Sequence, residues 1–252
     1  QTAQDMYARA DATPLVLGAR GSPLELVLNA LYFSEERPRP LRFEIVDELS
    51  DSGLVAPVPL YARHRSQGLP IVGTTLDYFD FRGLKIARGR QLLTLGEAVL
   101  GADAAAELGV GVGDSVISSP DSVFDIAGVY PLKMQVVGVL APTQSADDLA
   151  VFVDLKTAWV IQGLVHGHQD LAAVRDPSLV MERADGNLTA TAKLVQYTEI
   201  TPENIDSFHL HGSPEDYPIT AVIALPDDDK SAAAVLAEDR SEERRVGKEC
   251  RS

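Results

Sequence analysis

The stretch VVGVLAPTQSADDLAVFVDL, Val136 to Leu155, sets in succession a β-rich run, a polar break holding two adjacent aspartates, and a second β-rich run. Runs rich in β-branched residues and separated by short polar breaks commit a chain to β-sheet with short connections. Pro, Thr, Gln, Ser and Asp between the runs favour a turn whose polar side chains are solvated. Val136–Leu140 and Ala150–Val153 are therefore expected as the strands of a β-hairpin, with Trp159 beginning to anchor a following helix. Asp147 and Asp148 raise the alternative of a catalytic carboxylate pair, which needs two carboxyls in unequal surroundings flanking a bond. Adjacent side chains in a turn usually diverge into water, so the pair is expected to be solvated. Replacing both with Asn is then expected to cost less than about 0.5 kcal/mol.

Elsewhere the chain alternates short elements. PLVLGARGSPLELVLNALYF reads as a strand, a Gly-Ser turn and a helix from Pro23, with Leu24, Val27, Leu28 and Leu31 at helical spacing. Ser22 is the expected N-cap and Pro23 the first helical residue. RFEIVDELSDSG repeats the helical period, and LVAPVPLYARHRSQGLPIVGTT reads as strand, polar turn and strand, a β-α-α-β-β order. Tyr78, Phe79 and Phe81 form an aromatic cluster expected to anchor a small core under a loop. GEAVLGADAAAELGVGVGDSVIS reads as strand, short helix, glycine-rich turn and strand, followed by strands in MQVVGVL and AVFVDL. The segment Gly163 to Asn187 is the least regular and is expected to be a mobile excursion. LTATAKLVQYTEI suggests an edge strand, FHLHG and PITAVIALP further strands, and DDKSAAAVLAED a closing helix.

Composition narrows the function classes. The 252 residues hold 37 acids against 22 bases, a net charge of −15, and 45% of them are hydrophobic, enough for a core. Nucleic-acid binders concentrate Lys and Arg on one face, so a nucleic-acid partner is not expected. No run approaches the ~18 apolar residues of a membrane span, and QTAQDMYARADATPL lacks the n- and h-regions of a signal peptide. The tail from Arg240, RSEERRVGKECRS, breaks with the acidic, alanine-rich segment before it and contains the single cysteine, Cys250. It resembles the in-frame translation of a sequencing-adapter oligonucleotide and is set apart from the fold. Without its five bases and three acids the chain has 34 acids, 17 bases and no cysteine, which excludes disulfides, thiol catalysis and cysteine-bound zinc.

Several local patterns imitate reactive sites. GVGVGD, Gly109 to Asp114, has the glycines of a phosphate loop but follows a helix and precedes a strand, the reverse of what that loop needs, so a turn is expected. GARGS, Gly18 to Ser22, does lie between strand and helix, where N–H groups can hold an anion. It lacks the lysine of a P-loop and the spacing of a dinucleotide site. Two His-x-His pairs, His166/His168 and His209/His211, would each put both imidazoles on one face of a strand. Two such rings begin a zinc or copper site, but no third or fourth ligand motif accompanies them, and a polar surface role is expected. A Gly-x-Ser-x-Gly elbow is missing, so serine hydrolase chemistry has no support. Catalytic, cofactor-binding and metal residues are accordingly left unassigned, and no cofactor or enzyme activity is expected.

The blocks taken in order carry a resemblance. GE-VLG at Gly96 to Gly101, A--LG---GD from Ala105 to Asp114, and the VVGVL-PT run from Val136 to Thr143 follow LVLGARGSPLELVLNALYF and IVGTTLDYFDF and precede HLHGSPEDYPITAVIALPDDDKSAA. This order resembles the extracytoplasmic, MacB-like periplasmic core domain of bacterial ABC transporter permeases of the MacB, FtsX and LolC class, over about Thr13 to Asp239. The resemblance implies an α+β fold in which a porter-like α/β lobe, residues 1–95 and 219–239, accepts an inserted β-rich lobe of mixed sheet, residues 96–218; residues 240–252 are the tail. It also implies one transmembrane helix before Gln1 and three more beyond the credible chain. A cytoplasmic ABC ATPase, fused or separate, would drive a permease dimer, and this domain would lie outside the bacterial inner membrane. The implied role is mechanotransmission, coupling ATPase motion to export or extraction of a substrate without catalysis, with a periplasmic partner or a lipid-linked substrate as what it meets. The alternative is a free-standing soluble periplasmic binding or adaptor module with the histidine pairs or Gly18–Ser22 as its ligand site.

Overall fold

The computed structural model describes residues 8–34, 38–119, 131–167, 180–182, 188–190, 198–210 and 212–237. After a helical turn at 8–11 (α1), strand β1 (Leu15–Leu17) leads into helix α2 (Pro23–Tyr32). Ser22 caps α2 as expected: its Oγ accepts from the Glu25 N–H at 3.3 Å. The first half continues through β2 (Leu41–Arg42), α3 (Glu44–Ser52), β3 (Val55–Tyr61), β4 (Arg65–Ser66) and β5 (Leu69–Thr74). The β-α-α-β-β order therefore holds, with two two-residue strands added. The aromatic cluster sits on a helix, α4 (Leu76–Arg82), and not under a loop.

The second half runs through β6 (Ile86–Gly89), β7 (Glu97–Leu100), α5 (Ala102–Leu108), β8 (Ser115–Ile117), β9 (Leu132–Leu140), β10 (Val151–Asp154) and α6 (Leu155–Ile161). Strands β11 (Val165–Gly167), β12 (Val180–Glu182), β13 (Leu188–Ala190), β14 (Thr198–Glu199), β15 (Phe208–Leu210), β16 (Pro218–Ile219) and β17 (Ala221–Pro226) follow, then helix α7 at 229–237. Of the segment expected to be mobile, β11 and β12 are described, while 168–179 and 183–187 lie outside the described residues, as does the tail from Arg240.

One large mixed sheet organises these elements, in the order β1-β17-β3-β5-β10-β7-β9-β14. β10 runs parallel to β5, with Val151 opposite Ile71, and antiparallel to β7, with Val151 opposite Leu100. β9 is a hub, parallel to β7 and β14 and antiparallel to β6 and β8. Alternate residues of the central strands enter two separate cores. Ile71, Leu100, Val151, Val153 and Val222 pack on one face with Val46 and Leu49 of α3, Trp159 of α6 and Val235 of α7. Val72, Val99, Phe152 and Ile223 pack on the other with Leu31 of α2 and with Tyr78 and Phe79 of α4. Helices thus cover both faces, which is why AVFVDL is apolar at nearly every position instead of alternating.

The hairpin expected from Val136 to Leu155 is not there. β9 and β10 are antiparallel, but β7 is inserted between them, so the connection crosses over a strand rather than turning back on itself. Strands of residues 96–218 join the large sheet alongside those of residues 1–95: β10 bonds to β5, and β6 bonds to β9.

Candidate functional site

The crossover from β9 to β10 holds a buried ion pair, Arg9 with Asp147, beside a second buried aspartate, Asp148. Residues Ala146–Leu149 form a short 3-10 helix that buries both aspartates, Asp147 at 1% exposure and Asp148 at 3%. The expectation of a solvated turn is overturned. A carboxylate enters such a site only with its acceptor positions filled, since burying an unpaired charge is costly.

The two carboxylates meet that condition in opposite directions. Asp148 turns inward on its own loop, accepting from the Thr143 N–H at 2.9 Å, the Thr143 hydroxyl at 2.9 Å and the Gln144 N–H at 2.6 Å. These bonds hold Gln144 in a left-handed conformation, φ 58°, which a non-glycine residue seldom adopts. Asp147 points to distant parts of the chain. Its Oδ2 accepts from Arg9 Nη1 at 2.7 Å and from the Ser145 hydroxyl at 3.0 Å; its Oδ1 accepts from Arg9 Nη2 at 2.9 Å and from the Tyr78 hydroxyl at 2.7 Å. The guanidinium fork matches the carboxylate in a bidentate pair. Arg9 also donates through Nε to the Leu31 carbonyl at 2.7 Å and through Nη2 to the Tyr78 oxygen at 3.0 Å. One side chain from α1 is therefore fastened to α2, to α4 and to the crossover.

The electrostatics follow from burial set against pairing. Burial alone would raise the Asp147 carboxyl, but the Arg9 guanidinium and the Tyr78 and Ser145 hydroxyls outweigh it and hold it below the usual carboxylate range. Burial opposes the Arg9 charge, yet the bonds it donates to Asp147 leave it more firmly protonated than an ordinary arginine. Burial and the neighbouring Asp147 charge push the Tyr78 hydroxyl up. The cluster is thus an ionised pair with a neutral phenol. Each carboxylate is held by fixed donors of the protein, Asp147 by Arg9, Tyr78 and Ser145 and Asp148 by Thr143 and Gln144.

Packing keeps the crossover in place. A Cβ added at Gly101, which begins α5, would lie 2.2 Å from the Asp147 carbonyl oxygen and 2.3 Å from that of Asp148. Only glycine permits this approach. At the other end of the GEAVLG motif, Glu97 is 6% exposed and accepts from Arg90 Nη1 at 2.8 Å and from the Leu93 and Thr94 N–H groups at 2.8 and 3.2 Å. Burial works against its charge, but these donors prevail and bring its pKa down to about 2. Beside the crossover lies an open groove of about 770 Å³, walled by Tyr32, Phe33, Pro70 and Leu149, with Arg65 and Asp103 at its sides.

The other candidates fall elsewhere. Gly109 ends α5 in a left-handed conformation, and Asp114 accepts from the Gly111 N–H at 2.8 Å, so GVGVGD is the turn expected. At Gly18–Ser22 an added Cβ on Gly18 would meet Leu26 Cδ1 at 2.1 Å, and the Glu25 N–H is taken by Ser22, so the turn is filled by its own helix. His166 and His209 lie opposite each other in the β11–β15 pair; His168 and His211 lie outside the described residues. Among the described residues no group of three or more His, Cys, Asp or Glu is placed to hold a metal ion. Sequence reasoning missed Arg9 entirely and took Tyr78 for a packing residue. Their partner Asp147 is 138 and 69 residues away, and no local pattern signals so distant a pairing.

A three-layer α+β domain with a large mixed sheet and a salt-bridged crossover is the class the coordinates define. The chain belongs to the family described as the MacB-like periplasmic core domain, whose model matches residues 14–196. It is thus an extracytoplasmic domain of an ABC transporter permease of the bacterial inner membrane, a permease that works with a cytoplasmic ATPase. The periplasmic region of MacB from Actinobacillus actinomycetemcomitans is 15% identical with a TM-score of 0.47, over 93% of this chain and 89% of that one. The extracellular domain of the noncanonic ABC-type transporter YknZ from Gram-positive bacteria is 16% identical with a TM-score of 0.39, over 59% of this chain and 75% of that one. No curated protein matches the chain. Among the described residues no helix is long and apolar enough to cross a membrane.

Proposed function

We propose that this domain is a mechanical coupler, carrying ATPase-driven motion from the membrane to the export or extraction of a substrate, within a permease dimer and without catalysis of its own. The observation that carries this reading is the buried junction at Arg9. A coupler needs its incoming segment held more stiffly than its surroundings. Breaking one side of a buried, fully bonded ion pair costs about 3–5 kcal/mol, so a pull on α1 is felt by the crossover, α2 and α4 before the pair parts. The lobes divide at residues 95 and 218, with the β10–β5 and β6–β9 pairings tying the inserted lobe to the porter-like one. A lipid-linked substrate or a periplasmic partner is what the moving surface would engage.

The test uses the complete permease with its ATPase in lipid nanodiscs. A cysteine-free background carrying Asp51→Cys is spin-labelled, and the distance between protomers is measured with and without vanadate-trapped nucleotide. The distribution is expected to shift on trapping. In Arg9→Ala the shift is expected to shrink while ATP hydrolysis persists. An identical distribution in both nucleotide states would sink the coupling, and a full shift in Arg9→Ala would remove the junction from it.

A further inference from the structure

Arg82, the last residue of α4, stands beside the junction against the Tyr78 and Phe81 rings. Its guanidinium carbon lies 4.5 Å from the Phe81 ring centroid and 5.8 Å from that of Tyr78, the ring whose hydroxyl is bonded to Asp147. Its Nε and Nη2 are buried and have no hydrogen-bond partner. Burial, and to a lesser degree the nearby Arg9 charge, disfavour its protonated form and outweigh the opposing pull of Tyr78 and Asp147. Two guanidinium groups thus feel the charge of one carboxylate, and only Arg9 is bonded to it. All four acceptor positions of Asp147 are taken, two of them by Arg9.

We propose that Arg82 is the standby partner of Asp147, so that withdrawal of Arg9 is answered by Arg82 entering the two vacated acceptor positions and the junction has two paired states instead of one paired and one broken. The numbers of groups match. Arg9 leaves two acceptors, and Arg82 has two unfilled donors, Nε and Nη2, on one edge of its planar fork, the arrangement for a bidentate contact. The exchange removes the main penalty of opening, because an abandoned Asp147 would be a buried charge without a counterion. It returns Arg82 from an unpaired state to a paired one, so α1 can be released without unfolding the crossover. Bistable elements of this kind convert a pull into a discrete change of state.

The exchange rests on α1 being the moving end, but its test does not use motion. Thermal midpoints of the 252-residue chain are measured for Arg9→Met, Arg82→Met and the double variant. In the parent, Arg82→Met is expected to leave the midpoint unchanged or raise it, since an unpaired buried cation is removed. In the Arg9→Met background the same substitution is expected to lower it by several degrees. An equal effect in both backgrounds would overturn the exchange. Should the double variant not fold, the Asp147 carboxyl is titrated by carbon NMR in Arg9→Met. It is expected to stay below the usual aspartate range, and a midpoint above that range overturns the proposal. These readouts are separate from the protomer distances, so either idea can fail alone.

Discussion

At the residue scale, Asp147 and Asp148 carry different loads although they are neighbours. Asp147→Asn keeps the shape but removes the charge facing Arg9, and breaking one side of a buried pair costs about 3–5 kcal/mol. Asp148→Asn meets mainly backbone N–H groups within its own loop, where lost hydrogen bonds to a charged group cost about 1.5–3 kcal/mol. Chemical denaturation of the two single variants is expected to rank Asp147→Asn as the more damaging. Equal and negligible losses would restore the solvated turn expected from sequence. That expectation failed for a definable reason. PTQSADD has the composition of an exposed turn, and what buries it is an arginine near the start of the chain and a tyrosine on α4.

At the element scale, the strands and helices were largely legible because each is announced locally, by β-branched runs, by Ser22 and Pro23, and by the glycines that close α3, α4 and α5. Pairing was not legible. MQVVGVL and AVFVDL look like a hairpin because they are near in sequence, and nothing within either run says that GEAVL will lie between them. The GE-VLG motif that marks the resemblance has a physical meaning in hindsight: Glu97 gathers the 90–94 loop and Gly101 lets α5 reach the crossover. Gly101→Ala is expected to cost about 1–3 kcal/mol, as overpacking against backbone does. Gly111→Ala is the control, because its new methyl group would find only Asp114 Oδ2, 3.9 Å away, and should be near neutral. Comparable denaturation midpoints for the two variants would contradict the close approach.

At the scale of the whole molecule, acid stability follows from the two depressed carboxyls. Glu97 titrates near 2 instead of its ordinary 4.5, and Asp147 is also held low. Each contributes stability that is complete above the unfolded range and is lost as pH falls through the folded value. Thermal midpoints are therefore expected to be level above about pH 5 and to drop between about 4.5 and 2, and a midpoint that holds to pH 2.5 would contradict it. A last consequence concerns how the domain comes into being. β17, residues 221–226, lies between β1 and β3, which were made some two hundred and some one hundred and sixty residues earlier. Among the described residues β17 is the strand that bonds to β1, so until Ala221 has left the translocation pore β1 lacks that strand partner and one edge of β3 is bare. Strand pairings of this separation close slowly. Secretion must therefore deliver nearly the entire domain before its oldest strand can find its place, with one edge of β3 open in the meantime.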